Sequence, residues 1–174
     1  MRFSFYSLLI FMFPLFSFGQ EWNSFTDTAG NFTAKYPPTW INKVKEGNRI
    51  FFTSPLDSES NDFRENINIS VTAVAGYRTD ITVRSLFPNV SDALKKQFND
   101  YKEESFKYFM WNNIEAAEII YSGFNKLDES LRIRSTQWFC FYKHKLYIAT
   151  FVSEATKNNH TETAFKIMES VIFK

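Results

Sequence analysis

Cysteine is almost absent from this chain of 174 residues, and glycine and proline are scarce. A single Cys excludes an internal disulfide, so the stability of the fold must come from packing. The 5 Gly and 5 Pro residues exclude the collagen-like and low-complexity classes. Apolar residues make up 44% of the chain, which excludes disorder for most of it and predicts one domain with a sizeable core.

The first 19 residues have the pattern of a secretory signal peptide. Met1-Arg2 precedes an apolar run from Phe3 to Phe18, and small residues stand at Ser17 and Gly19. The run is shorter than the roughly 20 residues that span a bilayer, which argues against a membrane anchor. We expect cleavage after Gly19 and export of a single domain, residues 20–174, to a periplasm or to the outside of the cell.

The expected mature chain also has no net charge. Residues 20–174 carry 19 Lys and Arg against 19 Asp and Glu. Nucleic-acid binding depends on a basic field, and this balance excludes a broad one. It also gives no electrostatic attraction to anionic lipids. We expect no nucleic-acid partner and no stable membrane insertion after signal cleavage.

Aromatic residues are abundant, with 21 Phe in the chain, and the spacing of apolar positions predicts the secondary structure. The expected strands are 32–36, 40–45, 49–53, 67–73, 106–110, 114–121, 131–142 and 146–152. Two helices are expected, one from Phe87 or Pro88 to Tyr101 and one from Asn159 to Glu169. Val171-Ile172-Phe173 then returns to a sheet edge, and Ser54 to Asn66 is expected to be a long loop.

Two of these strands are apolar on both faces, which places them in the centre of a sheet. Trp138 and Cys140 alternate with Phe139 and Phe141, and residues 146–152 have the same character. The predicted fold is therefore α+β, with a central antiparallel sheet of about 6–8 strands flanked by helices on both faces.

Candidate binding residues come from one polar strand face and one turn. Asn68, Ser70 and Thr72 alternate with apolar residues and so face water or a cleft. Trp111 stands beside Asn112 in a predicted turn, where an exposed Trp would anchor a partner. The alternative, which we favour for Trp111, is that its ring folds back onto the sheet.

The sequence shows no catalytic motif and no metal-ligand spacing. His144 and His160 have no paired His or Cys, which argues against zinc. Cys140, between two Phe residues, is expected to be a buried core residue. No nucleophile elbow, phosphate loop or zinc-protease motif is present, and we expect no cofactor and no enzymatic activity. The loop carboxylates could collect a cation, although a solvated loop is the favoured interpretation; they are Asp57, Glu59, Asp62 and Glu65.

Four segments, in the same order, resemble the PsbP-like superfamily. They are FTAKYPPTW at 32–40, RIFFTSP at 49–55, FRENINISV at 63–71 and TQWFCFYKHKLYIATF at 136–151. The superfamily includes the extrinsic lumenal subunit of photosystem II, a Ran-binding import factor and bacterial exported domains. The chain departs from its pattern where Lys143-His144-Lys145 replaces a tight Asp-Gly turn.

The resemblance implies a central antiparallel sheet with helices packed on it, and it implies no single activity. We therefore expect an exported, non-enzymatic accessory protein that binds a protein partner or a small ligand. Two alternatives stay open at this point. One is a carrier of a small apolar ligand in an aromatic-lined cavity, and the other is an exported hydrolase with an unrecognised site.

Overall fold

The computed structural model describes residues 21–45, 49–57, 63–74, 81–126, 128–157 and 159–174. The predicted signal peptide and its cleavage point lie outside the described residues. The secondary structure of the described residues, in chain order, is β1 (Asn23–Asp27), β2 (Phe32–Tyr36), β3 (Ile41–Lys45), β4 (Arg49–Thr53), β5 (Asn66–Ala73), α1 (Val83–Gln97), β6 (Phe98–Trp111), β7 (Ile114–Asn125), β8 (Asp128–Tyr142), β9 (Lys145–Glu154), α2 (Thr161–Glu169) and β10 (Ile172–Phe173).

Seven of the strands form one antiparallel sheet in the order β3-β4-β5-β9-β8-β7-β6. The strand number lies within the predicted range. β9 occupies the middle of the sheet and β8 pairs with it directly. Both positions confirm the inference that strands apolar on both faces are central.

A second, three-stranded antiparallel sheet has the order β1-β2-β10. The sequence predicted β2 and the return of residues 171–173 to a sheet edge. It did not predict β1, and it did not predict that these strands form a sheet of their own. β1 pairs only with β2 among the described strands and is largely exposed, so it shows little of the apolar alternation that marks a strand.

Two apolar clusters pack against alternate residues of the large sheet. Trp138 and Cys140 of β8 belong to the larger cluster, whereas Phe139 between them belongs to the smaller one. The larger cluster also contains residues of α2 and of the small sheet, and the smaller cluster contains residues of α1. The α+β class is thus confirmed. The prediction described the covering layers as helices alone, and a three-stranded sheet shares that role with α2.

The first helix begins and ends earlier than the sequence predicted. Thr82 caps it, because its hydroxyl accepts from the Ser85 N–H while the Ser85 hydroxyl receives the Thr82 N–H. Pro88 therefore lies inside the helix and not in its first turn. Tyr101, predicted to be helical, lies in β6, which begins at Phe98 directly after the last helical residue.

Two hairpin turns are tighter than predicted, and each has two residues in the left-handed region. Asn112 and Asn113 join β6 to β7 with φ of 47° and 64°. Lys143 and His144 join β8 to β9 with φ of 46° and 62°. Such turns match the twist of the strands that they join. Trp111, predicted to be a turn residue, is consequently the last residue of a strand.

Candidate functional site

An open trough of about 460 Å³ lies on the face of the large sheet that also carries α1. We call it the polar trough. Strands β4, β5, β9, β8 and β7 form its floor, and the C-terminal end of α1 with the start of β6 forms one wall. The residues that line it are Arg49, Asn68, Ser70, Leu94, Gln97, Phe98, Tyr121, Asn125, Ile133, Ser135, Gln137, Ile148, Thr150 and Val152.

The middle of the floor is a row of polar side chains in register across three strands. Asn68 pairs with Thr150, and Thr150 pairs with Gln137. The Asn68 amide donates to the Thr150 carbonyl oxygen at 3.4 Å, and the Gln137 amide donates to the Thr150 hydroxyl at 3.1 Å. Each carboxamide has donor and acceptor capacity beyond these bonds. The row can therefore bind a group that both donates and accepts hydrogen bonds.

One end of the trough is positively charged. Arg49 lies on β4, in register with Ser70 on β5, and its side chain is exposed. It is the one charged residue among the described residues that line the trough. No ion pair joins Arg49 to another described residue. This end of the trough therefore has a guanidinium available for an anionic group.

The opposite end adjoins the helix and is mixed, since exposed Gln97 and half-buried Asn125 also line it. Leu94 and Phe98 contribute to it from the wall, and Ile133 contributes from the floor. Tyr121 lies beneath them, and burial raises the pKa of its phenol while a hydrogen bond with Ser135 opposes the shift. Tyr121 is therefore neutral at physiological pH, and this end of the trough has no charge.

The trough exists because α1 covers only part of the sheet face. The helix packs on Ala117, Ile119 and Phe139 of β7 and β8. The residues of β5 on this face are Asn66, Asn68, Ser70 and Thr72, which give a helix no apolar surface to bury. The β4-β5-β9 part of the face is consequently left open.

The structure brings two of the sequence-predicted residues into the trough. Asn68 and Ser70 line it, whereas Thr72 is exposed on the same strand beyond the lining. Sequence reasoning missed Arg49, Gln137 and Thr150. Thr150 had a signal, since it interrupts the apolar run 146–152, whereas Gln137 follows Ser135 and Thr136 and does not stand out. Arg49 had none, because one Arg at the start of a hairpin strand is an ordinary surface residue.

Trp111 is not an exposed binding residue, because its side chain is only 2% exposed. Its indole N–H donates to the Met168 carbonyl oxygen at 2.8 Å. The ring packs edge-on against Trp138 and Phe173, with centroids 5.5 and 5.0 Å away. Trp111 thus folds back onto the sheet, as the favoured alternative had it, and ties β6 to the end of α2.

A second polar cluster lies where the loop after β4 meets the start of α2. His160 Nε2 is 3.0 Å from Asp57 Oδ1, and Asn159 donates to the other Asp57 oxygen at 3.0 Å. Glu65 is 3% exposed and accepts the His160 backbone N–H at 2.9 Å, while its other oxygen has no hydrogen-bond partner in the described part of the chain. The cluster therefore fixes the loop to α2, with Glu65 serving as the helix cap that the His160 side chain does not provide.

The same cluster bears on the predicted loop carboxylates. Burial raises the pKa of Glu65 above its ordinary value, and the His160 backbone N–H opposes this shift. Glu59 and Asp62 lie outside the described residues. Among the described residues, no three His, Cys, Asp or Glu side chains are placed so that they could hold a metal ion.

Cys140 is fully buried, as predicted, and burial raises the pKa of its thiol to about 12. A thiol in that state is not a nucleophile at physiological pH. Within the described ranges, no helix is both long enough and apolar enough to cross a bilayer.

The chain matches one known protein family over most of its length. The family model described as PsbP matches residues 20–170. This chain belongs to the PsbP family. The match covers most of the chain and agrees with the four segments that resemble the superfamily. A comparison with curated proteins gives no match.

Solved structures with low sequence identity share the fold. The Pseudomonas aeruginosa protein of unknown function PA94 is 15% identical with a TM-score of 0.62, covering 88% of this chain and 97% of that one. Cyanobacterial PsbP from Synechocystis is 11% identical with a TM-score of 0.60, covering 89% and 94%. The Saccharomyces cerevisiae Ran-binding protein Mog1p is 10% identical with a TM-score of 0.59, covering 88% and 96%.

Proposed function

We propose that this PsbP-family chain is an exported, non-enzymatic accessory protein that binds a partner through the polar trough. The observation that carries the proposal is the trough itself, an open polar face with Arg49 exposed at its end and, among the described residues, no acidic side chain in its lining. The half-buried carboxamides of Asn68 and Gln137 on a rigid sheet suit recognition, because the strands fix where each group points. One structural relative, Mog1p, is described as a Ran-binding protein, which supports protein binding within this fold.

The two alternatives have less support. An apolar carrier needs an enclosed cavity lined by aromatic residues, whereas polar residues form much of the trough floor and the trough is open. A hydrolase needs a nucleophile within hydrogen-bond reach of a base. His160 pairs with Asp57, but the buried hydroxyl of the neighbouring Thr161 has no hydrogen-bond partner among the described residues. The Asp57–His160 pair therefore does not activate the Thr161 hydroxyl.

The trough is tested by blocking it with a bulky side chain. Ser70→Trp places an indole in the floor, and Lys35→Trp places one on the exposed surface of the small sheet. Each variant and the unmodified protein are used to recover crosslinked partners from the envelope fraction of the native host. We expect the unmodified protein and the Lys35 variant to recover the same partner, and Ser70→Trp to lose it.

Two outcomes would contradict the proposal. Recovery of the same partner by Ser70→Trp would show that the interface lies elsewhere. Repeated recovery of no partner by the unmodified protein would count against protein binding altogether. Circular dichroism of each variant establishes that the loss does not come from unfolding.

Export is tested separately from binding. Expression of the full chain in its host should give a mature protein whose first residue is Gln20, identified by mass spectrometry of the N-terminal peptide. An intact Met1 peptide in a cytoplasmic fraction would overturn the proposed signal peptide and leave the binding experiment unaffected.

A further inference from the structure

We infer that the occupant of the polar trough is an extended acidic segment of a partner protein, which places a carboxylate at Arg49 and an apolar side chain beside Ile133. The inference rests on the proposed function, since it assigns the chemistry of the partner that the trough binds. Three properties of the trough support it: its charge, its length and the kind of hydrogen bonds that it offers.

Charge decides the sign of the partner. Arg49 is exposed at one end of the trough, no described acidic side chain lines the trough, and no ion pair joins Arg49 to another described residue. Exposed Lys43 lies on the neighbouring strand, in register with Phe51, and adds positive charge near this end. A guanidinium binds a carboxylate through two parallel N–H groups, so a Glu or Asp side chain is its natural partner.

Length favours a peptide over a small anion. From Arg49 on β4 to Tyr121 on β7, the floor crosses four strand spacings. At about 4.8 Å a spacing this is roughly 19 Å. An extended chain of about six residues covers that distance. A small ligand would be enclosed on most of its surface, and this trough is open along its length.

The hydrogen-bonding groups of the floor match a peptide backbone. Asn68 and Gln137 each present a carboxamide, which donates and accepts as a peptide group does. At the far end, half-buried Ile133 offers apolar surface, while Leu94 and Phe98 beside it are largely buried. An acidic residue followed several positions later by an apolar one would therefore satisfy both ends of the trough.

The probe is the peptide acetyl-Glu-Glu-Ser-Ser-Ser-Leu-amide, added to the 15N-labelled domain and followed by amide chemical shifts. We expect shift changes at Asn68, Gln137 and Thr150. Replacing both Glu by Gln, or Arg49 by Gln, should weaken binding by about three- to tenfold, as for an accessible charge-assisted pair. Raising the salt concentration should remove this difference, because screening acts on exposed charges.

Lys35→Gln is the matched control, because it removes a positive charge from the exposed surface of the small sheet. It should bind like the unmodified domain. Equal binding of the Glu and Gln peptides at the trough would overturn the acidic partner and leave the trough as a binding site. Binding of N-acetylglutamate amide as tight as that of the whole peptide would overturn the extended segment. No shift change at the trough with either peptide at millimolar concentration would overturn this inference, and the blocking experiment with Ser70→Trp would still decide the proposed function.

Discussion

Trp111 shows how a single residue changes meaning between sequence and structure. Its position beside two Asn residues suggested an exposed anchor, and the structure turns its indole into the larger apolar cluster. The short strand-to-strand turn is the reason, because Asn112 and Asn113 complete the turn alone and leave Trp111 in β6. The Asn112 amide also donates to the Val171 carbonyl oxygen and so fixes the turn against the C-terminal strand.

Trp111→Phe should destabilise the domain without affecting partner binding. The substitution removes the indole N–H that the buried Met168 carbonyl oxygen accepts, and it leaves a small cavity next to Trp138. The loss should be about 2 kcal/mol in the free energy of unfolding, measured by urea denaturation. Loss of binding of the acidic peptide by the folded variant would contradict the structural role.

Glu65 is the second residue whose surroundings determine its behaviour. Burial raises its pKa, so the folded state holds the proton more readily than the unfolded state. The stabilising contribution of protonated Glu65 is fully present below the ordinary pKa of a Glu side chain. It is lost as the pH rises through the raised pKa of the folded state. Charging the carboxylate at neutral pH therefore costs stability.

Glu65→Gln should raise the melting temperature at pH 7, and the gain should disappear near pH 4. The carboxamide stays neutral, and its oxygen can still accept the His160 N–H. Glu162→Gln is the control. Its effect on the melting temperature at pH 7 should have the opposite sign, because Lys166 lowers the pKa of that exposed carboxylate. A difference between Glu65→Gln and the unmodified protein that is the same at both pH values would contradict the protonation argument.

At the scale of elements, the two tight hairpin turns differ in how well their residues suit them. Asn and His adopt the left-handed region more readily than most residues, whereas Lys143 has no such preference. The turn between β8 and β9 is nevertheless held in place, since the Val74 N–H donates to the His144 carbonyl oxygen at 2.9 Å. The PsbP-like pattern has Asp-Gly at this turn, so this chain has replaced a favourable residue pair by a strained one.

Lys143→Gly, at a φ of 46°, should stabilise the domain by about 0.5–1 kcal/mol in urea denaturation. Relief of the left-handed conformation exceeds the extra entropy that Gly adds to the unfolded chain. The main-chain bond to Val74 is kept. Asn113→Gly, at a φ of 64° in the other turn, is the matched control and should gain less, because Asn already accepts this conformation. An equal gain in both turns would contradict this account.

At the scale of the whole molecule, the C-terminal residues close the small sheet over the larger cluster. β10 pairs with β2, and the Lys174 N–H donates to the Asn31 carbonyl oxygen at 2.8 Å. Val171 is fully buried, and the Phe173 ring lies 4.7 Å from the Tyr147 ring on the central strand β9. Four residues thus join the small sheet, α2 and the large sheet.

Deletion of residues 171–174 should cost at least about 3 kcal/mol in the free energy of unfolding, because it exposes the Val171 site and uncovers part of the larger cluster. Urea denaturation of the shortened chain measures the loss. Ile172→Thr is the control, since Ile172 is 55% exposed and its replacement should leave stability nearly unchanged. A shortened chain as stable as the control would contradict the closing role of β10.

The sequence by itself determined the class of the fold and the central strands. β8 and β9 have apolar residues on both faces, and a strand of that kind can bury them only inside a sheet covered on both sides. The polar alternation of β5 likewise indicated an open face, and it identified Asn68 and Ser70. These features depend on the alternation of residues that are close in sequence, and the sequence shows that alternation directly.

Only the tertiary structure decided which residues form the candidate site. The polar trough joins Arg49, Asn68, Thr150 and Gln137, which lie far apart in sequence and meet through strand order and register. Its open floor depends on where α1 packs, which follows from the complementarity of two apolar surfaces. The buried position of the Trp111 ring also depends on long-range packing, because the carbonyl oxygen that accepts its N–H belongs to the end of α2.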